Sequence, residues 1–142
     1  MSNALNLKTP LTAIDIGGKE RTIKFDLNAY AELELKYGSV EKAMDALQTG
    51  SVSALRNILW AGLIHSEAIF DTVTGDVLSY AITPYQVGSW IEPSDMQEVS
   101  TSLSEAIIAT LPLDQRTAAK KELDRLANEQ EKTIEEKNEP NV

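Results

Sequence analysis

The sequence predicts an α+β fold that is mostly α-helical, with an N-terminal β-hairpin followed by about five or six helices, the last of them long and charged. Three observations lead to this prediction. Apolar and polar residues alternate from Leu11 to Phe25, which is the period of a β-strand. From Asp26 the apolar residues recur every three or four positions, which is the period of an α-helix. From about Leu113 onward, Lys, Glu, Asp, Asn and Gln dominate and leave little apolar surface to bury.

These changes divide the chain of 142 residues into three parts. We expect a flexible N-terminus over residues 1–10 and one globular domain of hairpin and helices over residues 11–112. Residues 113–142 are expected to form a charged C-terminal helix with a disordered end. The apolar fraction of 42% is ordinary for a single domain of this length with one core.

The register of the N-terminal hairpin depends on the length of its loop. Two adjacent glycines supply the positive φ angles that a tight reversal needs. A four-residue loop, 17–20, would place Ile14 opposite Ile23, whereas a two-residue loop, 17–18, would place Ile14 opposite Arg21. Because apolar side chains pair favourably across strands, the sequence favours the longer loop.

The first two predicted helices are short and meet at Gly38, a typical C-terminal stop, and Ser39, a typical N-cap. Glu34 falls inside the apolar stripe of the first helix, so we expect it to accept hydrogen bonds from a helix N-terminus or to pair with Arg56. The residues of the first stripe are Leu27, Tyr30, Ala31 and Tyr37. Those of the second are Val40, Ala43, Met44 and Leu47.

The third helix is predicted to begin at Ser51 or Ser53 and to run to about Ala68. It is apolar on both sides, which is typical of a helix at the centre of a core. Gly62 lies inside it and costs about 1 kcal/mol of helix stability relative to alanine. We therefore expect a neighbouring element to approach the helix closely at Gly62.

The second half of the domain is predicted to contain two more helices. Residues 70–82 form a loop or a short strand pair, and Thr83-Pro84 has the cap-then-proline form of a helix start. A capping box over residues 94–97 begins the fifth helix, which Pro112 stops. The residues that the fifth helix is expected to bury are Met96, Val99, Leu103, Ala106, Ile107 and Leu111.

The charge and the amino-acid usage exclude several classes of function. The formal net charge is −9, which disfavours binding to nucleic acid and to anionic membrane surfaces. The longest strongly apolar stretch, Ile58 to Ile64, is far shorter than the ~20 residues of a membrane span. The chain has no cysteine and no basic-then-apolar signal pattern at its N-terminus. We expect a soluble protein of a reducing cytoplasm.

No pattern of reactive residues predicts catalysis. His65 is the only histidine and has neither a second ligand nor a nucleophile near it in sequence, so we expect a structural role. The glycine pair lacks the spacing of a phosphate-binding loop. Asp71, Thr74 and Asp76 lack the later glutamate that a calcium loop needs. We therefore predict no catalytic, cofactor-binding or metal-ligating residues and no small-molecule substrate.

Several short segments of the chain occur in a distinctive order. They are residues 16–20, 23–29, 31–34, 37–39, 54–56, 59–63, 83–84 and 87–88 and Ile91. The most specific part is ELE-x-x-YGS, residues 32–39, followed by LR-x-x-LWAGL, residues 55–63. This order, from about Ile14 to Pro112, resembles the tail assembly chaperones of long-tailed bacteriophages and prophages of Gram-positive hosts, and the related small tail proteins of gene transfer agents.

The resemblance implies a protein that is not an enzyme. Such chaperones bind the long tape measure protein, recruit tail tube subunits around it in the host cytoplasm, and are usually absent from the finished virion. Many are made in two lengths through a ribosomal frameshift, and this chain would then be the short form. Tape measure and tail tube proteins are thus the expected partners.

Two regions are candidates for partner contact. The first is the thin apolar seam of the C-terminal helix, formed by Ala119, Leu123 and Leu126, although the same seam could simply pack on the core. The second is the open edge of the hairpin, which could add a strand from a partner or from a sister subunit in self-association. Three other interpretations of the chain remain: a structural tube or connector protein of the tail, an acidic DNA-mimicking regulator, and an enzyme whose site has no recognisable motif.

Overall fold

The computed structural model describes residues 11–111 together with 117–118, 121–122, 124–125 and 128–129. Over these residues the fold is α+β and mostly α-helical, as predicted. In chain order the elements are β1 (Thr12–Ile16), β2 (Lys19–Ile23), α1 (Leu27–Tyr37), α2 (Val40–Gln48), α3 (Val52–Leu63), β3 (Ala68–Phe70), β4 (Val77–Tyr80), α4 (Pro84–Ser89) and α5 (Met96–Ile108). The strands form two separate antiparallel pairs, β1–β2 and β3–β4.

The predicted register of the first hairpin is wrong. β1 and β2 are joined by the two-residue turn Gly17-Gly18, and Ile14 lies opposite Arg21. Both glycines have positive φ angles, 64° and 79°, which is the turn geometry whose twist matches that of the strands. Arg21 is tolerated on the apolar face because its guanidinium is only 4.3 Å from the centre of the Trp90 ring and 3.0 Å from a carboxylate oxygen of Glu67.

The predicted buried face of α1 is only partly right, because Tyr30 and Tyr37 pack against the core but Leu27 and Ala31 are exposed. Ala29 and Leu33 are the buried residues of this helix, whereas Leu27 is 85% exposed. In the observed orientation of α1, Glu34 is exposed, so packing this helix on the core does not remove the Glu34 carboxylate from water. The predicted stop is confirmed: Gly38 has φ 87° and its N–H donates to the Glu34 carbonyl oxygen at 2.8 Å.

Helix α3 is the centre of the core, as predicted. It begins at the N-cap Ser51 and is buried on both sides, including Trp60 on the side opposite the main stripe. Helices α1, α2, α4 and α5 and strand β2 all contact it. A Cβ atom at Gly62 would lie 2.8 Å from Cγ2 of Ile23, which confirms the predicted close approach at this glycine.

The two later helices begin differently from each other. Thr83 caps α4 through a capping box with Gln86, as the Thr83-Pro84 pattern predicts. The capping box predicted over residues 94–97 does not form. A short 3₁₀ turn, Pro93–Asp95, leads directly into α5. The backbone at Asp95 is already helical and not extended, and its side chain accepts no hydrogen bond from an N–H group of the first turn. Helix α5 buries Val99, Leu103 and Ala106 and ends before Pro112.

Candidate protein-binding surfaces

The predicted contact seam, Ala119, Leu123 and Leu126, lies outside the described residues. Eight residues near it are described, and all of them are helical and exposed: residues 117–118, 121–122, 124–125 and 128–129. Arg125 forms ion pairs with Glu122 and Glu129 along this helix. The hydrogen bond from Arg125 lowers the pKa of the Glu122 carboxyl. The charges described in this segment therefore partly neutralise one another.

A hairpin of exposed apolar residues projects from the domain between α3 and α4. We call this hairpin, residues 68–80, the apolar arm. Its large apolar side chains are between 45% and 91% exposed: Ile69, Phe70, Val73, Val77 and Leu78. The register is irregular between Ile69, which lies opposite Ser79, and Phe70, which lies opposite Val77, so Leu78 has no directly opposite residue in β3. Clusters of exposed apolar side chains are typical of protein-binding sites.

The apolar arm is held firmly at its base. The Ala81 N–H donates to the Glu67 carbonyl oxygen at 2.7 Å, and the indole N–H of Trp60 donates to the Ile82 carbonyl oxygen at 2.9 Å. The ring of Tyr80 packs edge-on against Trp60 with centroids 5.6 Å apart. The arm therefore has a fixed root in the core, although most of its length is exposed.

The tip of the apolar arm is an ordered turn. Oδ1 of Asp71 accepts hydrogen bonds from the N–H groups of Val73 and Thr74, at 2.8 and 3.1 Å. These backbone hydrogen bonds lower the pKa of Asp71. Gly75 supplies the positive φ of the turn, 80°. The carboxylate of Asp71 thus fixes the turn at the tip of the apolar arm.

A second surface is a cleft of about 390 Å³ between β1 and the start of α5. Five apolar residues contribute to its lining; four of them are half-buried and Val99 is buried: Ile14, Ile16, Trp90, Ile91 and Val99. Its rim carries four carboxylates, and we call it the acidic cleft. They are Asp15 and Glu20 on the hairpin side, and Asp95 and Glu98 on the helix side. None of the four belongs to an ion pair with another described residue.

The hairpin side of the acidic cleft is fastened by Arg21. This side chain stacks on Trp90, pairs with Glu67 and donates from Nε to the Ile16 carbonyl oxygen at 3.2 Å. The Gly17-Gly18 turn also packs against Trp90, because a Cβ atom at Gly17 would lie 2.7 Å from the Trp90 ring. Arg21 and Gly17 thus hold the hairpin side of the cleft against Trp90.

The structural role predicted for His65 is supported by its contacts. Its Nε2 lies 2.8 Å from the main-chain carbonyl oxygen of Thr22 and 3.2 Å from the hydroxyl of the same residue. A proton on Nε2 would make the first contact a hydrogen bond from the ring to β2. The histidine thus links the end of α3 to the N-terminal hairpin.

The described residues contain no group of three or more His, Cys, Asp or Glu side chains arranged to hold a metal ion. Among the described helices, none has the length and apolar composition to cross a bilayer.

Comparison with known proteins gives no match: no family model fits the sequence, and neither a curated protein nor a solved structure is significantly similar to it.

Only one of the two surfaces had a signal in the sequence. The pairs Ile69-Phe70 and Val77-Leu78 flank a glycine turn, and no single face of a hairpin can bury both residues of such a pair. This pattern was a signal for an exposed apolar arm. The acidic cleft has no comparable signal, since its two walls come from segments more than 70 residues apart.

Proposed function

We propose that this chain is a tail assembly chaperone of a bacteriophage or prophage. In this role it binds the tape measure protein and recruits tail tube subunits during tail morphogenesis. It acts in the cytoplasm of the host bacterium and is left out of the mature virion. The resemblance of residues 14–112 to that family suggests the role.

The apolar arm is the structural observation that carries the proposal. Its five large apolar side chains lie on a short hairpin whose root is fixed by Trp60 and Tyr80. Such a projection offers apolar surface to a partner without exposing the core behind it. A globular protein with no partner has no evident use for this surface.

The mechanism follows from the chemistry of the expected partner. A long helical protein with an apolar seam aggregates unless another surface covers the seam. The arm would cover part of it, while the net charge of −9 would keep the complexes dispersed. Tube subunits would then displace the chaperone as they bind the same seam.

Co-expression tests this proposal. The chain would be produced together with the tape measure protein encoded near its gene, with an affinity tag on one of the two. We expect the pair to co-purify as a soluble complex and the tape measure protein to be insoluble when it is made alone. A tape measure protein that is soluble alone and never co-purifies would contradict the proposal.

The rival function, a structural tail protein, is separated from the chaperone by the content of finished particles. We expect mass spectrometry of purified tails to detect the tape measure and tube proteins and not this chain. Stoichiometric amounts of the chain in purified tails would favour a tube or connector subunit instead.

A further inference from the structure

The edge of strand β1, and not one of its faces, borders the acidic cleft. Ile14 and Ile16 point toward the core, whereas Ala13 and Asp15 point to solvent, yet all four line the cleft. Because neighbouring residues of a strand point to opposite faces, a surface lined by both sets must be the strand's edge.

The backbone at this edge is open. The pair that closes a two-residue hairpin, here Ile16 and Lys19, exchanges hydrogen bonds, and bonded and non-bonded pairs alternate from there. Ala13 and Asp15 therefore fall in non-bonded pairs, and their N–H and C=O groups point away from β2. No backbone hydrogen bond joins either residue to another described element.

The negative charge of the acidic cleft favours a partner segment that carries positive charge. Asp15 and Glu20 on one wall face Asp95 and Glu98 on the other, and none of them has an ion-pair partner among the described residues. The guanidinium of Arg21, next to Glu20 in sequence, is already held by Glu67. A second copy of this chain, with its net charge of −9, would be repelled.

We infer that the acidic cleft binds an extended, lysine- or arginine-containing segment of a partner protein, which adds as a third strand to the free edge of β1. The open N–H and C=O groups of Ala13 and Asp15 supply the backbone hydrogen bonds. Alternate apolar side chains of the segment contact Trp90 and Ile91, and its cations meet the carboxylates of the rim. Strand β1 has five residues, so the edge is about 16 Å long.

This inference concerns a different surface from the apolar arm and does not depend on the chaperone proposal. The probe is a fluorescein-labelled octapeptide of alternating lysine and valine, titrated with the full chain by fluorescence anisotropy. A matched glutamate–valine octapeptide controls for charge. A lysine–valine octapeptide N-methylated at every backbone amide controls for backbone pairing, because it keeps the charge and has no backbone donor on either edge.

Two doubly substituted chains separate the cleft from the general negative charge of the protein. Asp95→Asn with Glu98→Gln removes two carboxylates from the cleft. Glu41→Gln with Asp45→Asn removes two exposed carboxylates from α2, which takes no part in the cleft. We expect the cleft variant to bind the lysine–valine peptide about three- to tenfold more weakly, as expected for the loss of two exposed ion pairs, and the α2 variant to bind it nearly as well as the unaltered chain.

The N-methylated peptide tests strand addition on the unaltered protein and does not depend on the folding of any variant. We expect it to bind at least about tenfold more weakly than the parent peptide. In addition, the parent peptide should slow hydrogen exchange of the Ala13 and Asp15 amides more than that of Ile14. The inference is overturned by any one of four results: no binding of the lysine–valine peptide, equal binding of the glutamate–valine peptide, equal losses in the two variants, or equal binding of the N-methylated peptide.

Discussion

Replacing Gly62 with alanine should destabilise the protein, although alanine is the better helix former. The new Cβ atom would lie 2.8 Å from Cγ2 of Ile23 and 3.1 Å from Cζ of Phe25. Carbon atoms in favourable contact are about 3.5–4.0 Å apart, so one contact would be too short by roughly 0.7 Å. Both neighbours are buried and cannot swing into solvent. The Lys24 N–H donates to the Gly62 carbonyl oxygen at 2.8 Å and holds β2 against α3 at this point.

The magnitude follows from two opposing terms. Alanine contributes about 1 kcal/mol more helix stability than glycine. Overpacking a close-packed core costs about 1–3 kcal/mol, and the bond to Lys24, which resists separation of the two elements, places Gly62 in the upper half of that range. We therefore expect the free energy of unfolding to fall by about 1–2 kcal/mol.

Urea denaturation followed by far-ultraviolet circular dichroism measures this loss, and Gly88→Ala is the matched control. A Cβ atom at Gly88 also meets a close neighbour, at 2.9 Å, but that neighbour is Cδ of the flexible Arg56 side chain, which can move aside. We expect Gly88→Ala to leave stability unchanged or to raise it by up to ~1 kcal/mol.

The account of α3 would be refuted if Gly62→Ala were as stable as the unaltered chain, or if the two glycine variants shifted stability equally. A double-mutant cycle adds a second check. If the overlap with Ile23 is the cause, combining Gly62→Ala with Ile23→Ala should cost less than the sum of the two single losses, by at least about 0.5 kcal/mol.

Three further predictions concern the turns and the later helices. Gly17→Ala should lower the thermal midpoint more than Gly18→Ala. Both glycines have a positive φ, 64° and 79°, but the new Cβ at Gly17 would lie 2.7 Å from Trp90, whereas no atom lies within 4 Å of a Cβ at Gly18. Equal midpoints would argue against the contact with Trp90. Thr83→Ala removes the side-chain cap of α4 and should cost about 1 kcal/mol in urea denaturation, and an unchanged midpoint would argue against the cap. The pKa of Asp71 is lowered in the folded state, so its contribution to the turn is complete above its ordinary pKa of about 3.9 and is lost as the pH falls through the lower folded value. Carboxyl chemical shifts recorded against pH should give Asp71 a midpoint below 3.9, and a midpoint at or above that value would contradict the turn geometry.

The starts of α2, α3 and α4, the end of α1 and the central position of α3 could be predicted because their signals are local, whereas α3 ends at Leu63 and not, as expected, near Ala68. Ser39, Ser51 and Thr83 cap helices within three residues of their own positions, and Gly38 ends α1 by its own φ angle. Likewise, Gly62 indicated a close neighbour because glycine is costly in a helix interior. These inferences depend on nothing beyond one turn of chain.

The hairpin register was missed because the deciding contacts are distant in sequence. Arg21 lies opposite Ile14, where its guanidinium pairs with Glu67 and stacks on the ring of Trp90. These two partners are 46 and 69 residues further along the chain. Cross-strand pairing alone gives no sign of these partners, so it favoured the apolar pair with Ile23.

The candidate surfaces also depend on contacts between distant parts of the chain, which the sequence does not reveal. The apolar arm was visible only as a loop or strand pair, since the sequence does not reveal that nothing in the described part of the chain covers Phe70 and Leu78. The acidic cleft depends on how α5 packs beside β1. The contact seam at Ala119, Leu123 and Leu126 lies outside the described residues and stays a prediction.

The most direct test of the proposed function is the soluble yield of the tape measure protein when it is co-expressed with altered forms of this chain. Phe70→Thr with Leu78→Thr removes apolar surface from the arm and keeps residues suited to strands. Leu27→Gln with Leu35→Gln removes two leucines from α1 that are even more exposed than Phe70 and Leu78, keeps good helix formers, and so serves as the control.

The account predicts that the unaltered chain and the α1 variant keep the tape measure protein soluble and that the arm variant, though itself folded and soluble, does not. Equal soluble yields with all three chains would contradict the assignment of the arm as the tape-measure contact. A tape measure protein that stays soluble with no chaperone present would contradict the proposed function itself.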